Sequence, residues 1–177
     1  MESSVATPRG VVTIREARET DVEGFRALRL EALRNHPEAF GSDYVVNEKQ
    51  PLEFWAGRLR GLGNTGMIYF ATEHERLIGM SAIWRGDSPK TQHSAQITSV
   101  YVQPEWRGAQ LAAKLIETCL DWARLQQITI AKLAVVSTNT AAIRSYSSCG
   151  FKIYGIEPQA LCHAGVMSDE LLMARSL

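Results

Sequence analysis

The strongest constraint on the fold is a change of hydrophobic period at Pro104. Before it, apolar residues sit in short strand-like runs. After it, Leu111, Ala112, Leu115, Ile116, Cys119, Leu120 and Ala123 recur at helical spacing, with Lys114, Glu117, Asp121 and Arg124 on the opposite face. A strand must therefore pass through a turn into a long amphipathic helix. The following run, 128–136, has the length and β-branched content of a strand. Strand, helix and strand in succession predict a parallel crossover, so a purely antiparallel sheet is excluded.

The rest of the chain frames this crossover. Residues 1–10 read as a flexible N-terminal tail, and 11–177 as one domain. Val11 to Arg15 alternate as a short strand. Thr20 and Glu23 have capping-box spacing before a helix that stops at His36-Pro37. Residues 36–50 read as a loop, and Pro51 opens a second helix with Leu52, Trp55 and Leu59 on one face. Met67–Thr72 and Leu77–Trp84, joined by a charged turn, predict a hairpin, and 93–102 a third strand beside it. A short helix follows over 140–148, ended by Gly150, and two last strands cover 151–154 and 167–174. The fold class is mixed α/β, with a central, mostly antiparallel sheet flanked by helices.

Composition narrows the function classes. At 177 residues with 45% hydrophobic and 21% charged side chains, the chain needs no disulfide or metal staple. The first 88 residues hold 11 basic and 13 acidic side chains and the remainder 8 and 6, which points away from a nucleic-acid partner. Cys119, Cys149 and Cys162 are an odd number without metal-type spacing, so no metal site is expected. The opening residues lack a signal-peptide pattern, and no apolar run reaches the roughly 18 residues of a membrane span. A soluble, cytoplasmic protein is the expectation.

Chemistry is concentrated in Val100-Tyr101-Val102-Gln103-Pro104-Glu105-Trp106-Arg107-Gly108-Ala109-Gln110-Leu111-Ala112. The first N–H groups of a helix lack intrahelical partners and carry partial positive charge, and small residues let a diphosphate approach them. The alternative is that Gly108 shapes the turn and the alanines pack closely. Neither a nucleotide P-loop nor a G-x-G-x-x-G fingerprint is present. Downstream, Asn139 is placed as an N-cap, and Tyr146 follows two helical turns later, roughly 10 Å along the axis.

In this order the segments resemble the GNAT acetyltransferase superfamily over nearly the whole chain. TIREARETDVEGFRALRLEAL is similar to its opening strand and helix, YVQPEWRGAQLAAKLI to its acetyl-CoA motif, NTAAIRSYSSCGF to its distal motif, and SDELLMARSL to its last strand. The resemblance implies an acyl-CoA N-acyltransferase fold and acetyl-CoA as co-substrate. It implies that Val100, Tyr101 and Val102 line the pantetheine arm and that one of their N–H groups polarises the thioester carbonyl. Arg107, Gly108, Ala109, Gln110, Leu111, Ala112 and Ala113 would wrap the pyrophosphate, Asn139 would contact the arm, and Tyr146 would stand near the sulfur. Gln110 departs from the family pattern, which has Gly there; a helical φ tolerates Gln, while its Cβ narrows the phosphates' approach.

The implied reaction is direct attack by a primary amine of a small molecule or amino-acid-like acceptor on the thioester. A neutral phenol holds a proton at pH 7 for the departing thiolate, which makes Tyr146 the candidate acid. The base is open between His93 and a water relay, with His163, Asp169 and Glu170 as further candidates. Phe40, Tyr44, Trp55 and Trp84 are candidates for an acceptor wall. Alternatives are a protein N-terminal or lysine acetyltransferase, and a non-catalytic acyl-CoA-binding module. Family members are often homodimers, which these residues do not decide.

Overall fold

The computed structural model describes residues 2–60 and 63–177. One sheet of eight strands runs through the chain in the order β1-β2-β3-β4-β5-β6-β8-β7. The strands are β1 (Glu2–Thr7), β2 (Gly10–Glu16), β3 (Gly66–Glu73), β4 (Arg76–Arg85), β5 (Ser94–Val102), β6 (Ile130–Val136), β7 (Lys152–His163) and β8 (Val166–Ser176). Every neighbouring pair is antiparallel except β5 and β6. That parallel pair is the crossover the change of period requires, because α4 (Leu111–Leu125) carries the chain from one strand to the other.

Helices cover both faces. On one, α4 buries Leu111, Leu115, Ile116, Cys119, Leu120 and Ala123 against the sheet, and α5 (Thr140–Ser148) adds Tyr146 to the same cluster. Each large aliphatic side chain so buried contributes about 1.5–3 kcal/mol relative to exposure. On the other face, α1 (Val22–Asn35) and α3 (Leu52–Arg60) enclose Phe25, Leu28, Trp55, Phe70 and Met80. The mixed α/β fold with a mostly antiparallel sheet is as the sequence predicts.

Three local expectations are corrected. Residues 1–10 were expected as a flexible tail, yet Glu2–Thr7 form β1, paired with β2 from Glu2↔Arg15 to Thr7↔Gly10. Val5 packs against the main core cluster, and that burial holds a strand too polar to stand out in the sequence. The 36–50 segment contains a short helix, α2 (Tyr44–Glu48), capped by the Asp43 side chain accepting from Val46 N–H. The Thr20–Glu23 capping box does not form. A 3-10 turn over Glu19–Asp21 precedes α1, and Asp21 turns to Arg15 instead.

That exchange is energetic. Arg15 donates to both carboxylate oxygens of Asp21, at 2.8 and 2.7 Å, and Arg18 N–H donates at 2.6 Å. Burial raises the Asp21 pKa, but the Arg15 hydrogen bond, the Arg18 N–H and the two arginine charges outweigh it and hold the carboxyl below its ordinary value. A lowered folded-state pKa contributes stability above the unfolded carboxylate pKa, lost as pH falls through the folded value. Asp21→Ala strands the buried Arg15 charge and is expected to cost about 3–5 kcal/mol in chemical denaturation at pH 7. The deficit should shrink as the titration is repeated toward pH 3.

Candidate active site

The site begins where β5 and β6 stop pairing. Their parallel register covers only Ser94↔Ile130, Ala95↔Ala131 and Gln96↔Lys132. The next residues of β5 bulge: Met80 faces Tyr101 while Ala82 faces Thr98, so β5 carries one residue more than β4 across this interval. Ser99 lies in it with φ +58°, in the left-handed region. A parallel partner cannot follow a bulged strand, and the two strands separate. The opening is a groove of about 1430 Å³. Its walls include Gln96–Val102 of β5, Ala134–Val136 of β6, the segment 106–114 and much of α5.

Backbone polar groups that face this gap have no strand opposite to pair with, which suits an extended, amide-bearing guest. Val100, Tyr101 and Val102 all line it. The Tyr101 side chain turns away toward α1, where its hydroxyl donates to Glu31 Oε1 at 2.8 Å. Burial, and next the Glu31 hydrogen bond, push its pKa up to about 12. Glu31 Oε2 also accepts from Gln103 Nε2 at 2.7 Å, and Arg76 bridges Gln103 and Glu105. This polar chain fixes the end of β5 and the turn beyond it.

Arg107, Gly108, Ala109, Gln110, Leu111, Ala112 and Ala113 line the same groove, around the N-terminus of α4. Gly108 has φ +84°, and a Cβ built there meets nothing within 4 Å, so the turn leaves open space over the helix N-terminus. Gln110 is a correction. It is the N-cap of α4 with φ +58° and ψ 17°, not a helical residue. The left-handed conformation disfavours a residue with a Cβ by about 1–2 kcal/mol, and Gln110 adopts it here. Arg107 lines the groove and also makes fixed contacts. Its Nε donates to the Val102 carbonyl at 3.1 Å and its Nη2 to His36 Nε2 at 2.9 Å, tying the turn to the segment after α1.

Asn139 caps α5, its Oδ1 accepting from Ala142 N–H at 3.1 Å, and it lines the groove. Tyr146 lines it too, 8% exposed, its ring edge-on to Phe151 at 6.4 Å. Burial first, then Cys149, raises its pKa, so the phenol stays protonated well into alkaline solution.

The base candidates separate. His93 does not line the groove; it stands before β5, its carbonyl bound by Thr129 and Ile130 N–H. His163 and Asp169 do not line it either, whereas Glu170 does, its pKa raised by burial and by Glu157. Of the aromatic candidates only Phe40 reaches the groove; Trp55 is fully buried core. The sequence reading missed His36 and Arg29 as groove residues and the bulge at Ser99. Positive φ at a serine and a contact across 71 residues leave no local signal.

No group of three or more His, Cys, Asp or Glu side chains forms a metal cluster among the described residues. Among them, no helix is long and apolar enough to cross a membrane. The groove fits a pantetheine diphosphate: an unpaired strand margin of suitable polarity ends at a helix N-terminus beneath a turn with vacant space.

Known proteins resemble this chain in sequence or in fold. A mycothiol acetyltransferase from Brachybacterium faecium is 26% identical over 147 residues, which are 83% of this chain and 42% of that protein. This chain therefore spans less than half the length of that relative. The catalytic subunit of the N-terminal acetyltransferase B complex from Arabidopsis thaliana is 28% identical over 145 residues, 81% of this chain and 75% of that one. A GNAT-family acetyltransferase from Streptococcus pneumoniae superposes with TM-score 0.83 at 20% identity, over 94% of this chain and 99% of that one. A phosphinothricin acetyltransferase from Sinorhizobium meliloti, in complex with acetyl-CoA, does so with TM-score 0.81 at 17% identity, over 94% and 88%. The Acetyltransferase (GNAT) family matches residues 25–151, from within α1 through the bulged strand, the α4 turn and α5 to Phe151. With the groove and most of the elements that build it inside that match, the chain belongs to the GNAT acetyltransferase family.

Proposed function

We propose that the protein transfers the acetyl group of acetyl-CoA to a primary amine of a small-molecule or amino-acid-like acceptor, by direct attack within a ternary complex. The observation that carries this reading is the separation of β5 from β6 directly beside the α4 N-terminus. The backbone of Val100–Val102 would hold the pantetheine amides, and the turn 107–113 would hold the diphosphate. Acetyl-CoA supplies an activated carbonyl carbon and a thiolate leaving group.

The acceptor ammonium first loses a proton, for which Glu170 or water bound to it is the base we favour. The nitrogen lone pair then forms the N–C bond, and the C–S electron pair leaves with sulfur. A backbone N–H of the Val100–Val102 segment stabilises charge on the carbonyl oxygen. Tyr146 delivers its proton to sulfur and regains one from the acylated nitrogen through solvent. Much of the acceleration would come from holding the two reactants together. A cytoplasmic setting suits this co-substrate. The second reading, acetylation of protein N-termini, draws on the Arabidopsis relative; mass spectrometry of a peptide panel against a metabolite panel separates the two.

Acetyl-CoA should bind in calorimetry and release free thiol when an amine panel is added; heat stabilisation without thiol release would leave a binding module. Gly108→Val forces a β-branched side chain into positive φ over the phosphate position, and should weaken acetyl-CoA binding about tenfold or more. Tyr146→Phe should lower kcat roughly ten- to a hundredfold with cofactor Kd within a few-fold. With a raised pKa, Glu170 as base makes kcat/KM climb with pH through a midpoint above the ordinary carboxylate value of about 4.3. Glu170→Gln should flatten that limb, and an unchanged profile would remove Glu170 from the role.

A further inference from the structure

Arg29 lies on α1, only 5% exposed, yet it forms part of the groove wall. A guanidinium brings five N–H donors and a permanent charge at neutral pH. Here Nη2 has one long contact, 3.4 Å to Ser42 Oγ, and the Phe40 ring lies 4.6 Å from Cζ. Nε and Nη1 are buried with no partner among the described residues. No described carboxylate forms a salt bridge with it, and the charge that bears on it is of the same sign, Arg58 of α3. Burial, then Arg58, push its pKa down to about 10, which leaves it cationic at neutral pH.

Buried charges are ordinarily paired, and this chain shows what pairing looks like at Arg15, whose guanidinium holds Asp21 through two bonds. Arg29 has the burial without the anion. Arg29 and its ring neighbour Phe40 both line the groove, and neither belongs to the turn 107–113 assigned to the diphosphate. Ser42 and Phe40 belong to one short segment, so an anion entering between that segment and Arg29 exchanges a long neutral contact for a charge-assisted one. We infer that Arg29 is the anion-binding residue of the acceptor site and that the acceptor is an amine bearing a carboxylate, of the free amino acid class. This rests on the acetyl-transfer reading and narrows it.

The test uses matched pairs: free L-amino acids and their α-carboxamides, each assayed for thiol release at saturating acetyl-CoA. The best free amino acid should exceed its amide by about tenfold or more in kcat/KM, carried mainly by KM. Arg29→Met should erase that preference while acetyl-CoA Kd, measured by calorimetry, stays within about twofold. If the variant does not fold, the wild-type comparison decides alone. Amides that react as well as the acids overturn the inference, as does acetyl-CoA binding with transfer to neither set. Failure to bind acetyl-CoA is a different result: it removes the transfer reading itself, and the acceptor assignment with it.

Discussion

Three paired positions between β5 and β6, followed by none, determine most of what this molecule can do. Parallel strands hydrogen-bond along their length when both are regular. The extra residue at Ser99 makes β5 irregular at the point where continued pairing would close the sheet. The remaining β5–β6 backbone then lines a groove instead of a ladder. Elsewhere the sheet is continuous: β6 pairs with β8 from Ile130 to Val136, and β4 supports β5 from its other side. The gap is thus a local opening in a rigid frame.

Polar side chains keep the opening in shape. Glu31 gathers Tyr101 and Gln103, so α1 is tied to the last residues of β5. Arg107 joins the Val102 carbonyl and His36, which couples the α4 turn to the chain leaving α1. The turn before α4 and the segment after α1 thus share a support although distant stretches of sequence build them.

How much of this was readable beforehand follows from the range of each interaction. Helical periodicity made α4 plain, and Asn139 and Gly150 bracketed α5 correctly, because those signals act within a few residues. β1 was not readable: its polar sequence is strand only because β2 lies beside it. The capping box at Thr20 matched a local pattern, but Asp21 found a stronger partner in Arg15, six residues earlier on a different element. Gln110 was assigned a helical φ because it precedes an unmistakable helix, and the chain turns left-handed at that residue. Nothing local marks Arg29 among the arginines of α1; its isolation is visible only once Phe40 and Arg58 of α3 lie near it.

The first strand has a practical bearing on handling the protein. β1 covers the open side of β2, and Val5 and Ala6 reach the groove. Trimming the opening residues to simplify expression would bare the backbone amides of β2, an invitation to intermolecular pairing and precipitation. Assays on the shortened chain would then report on aggregation rather than on catalysis.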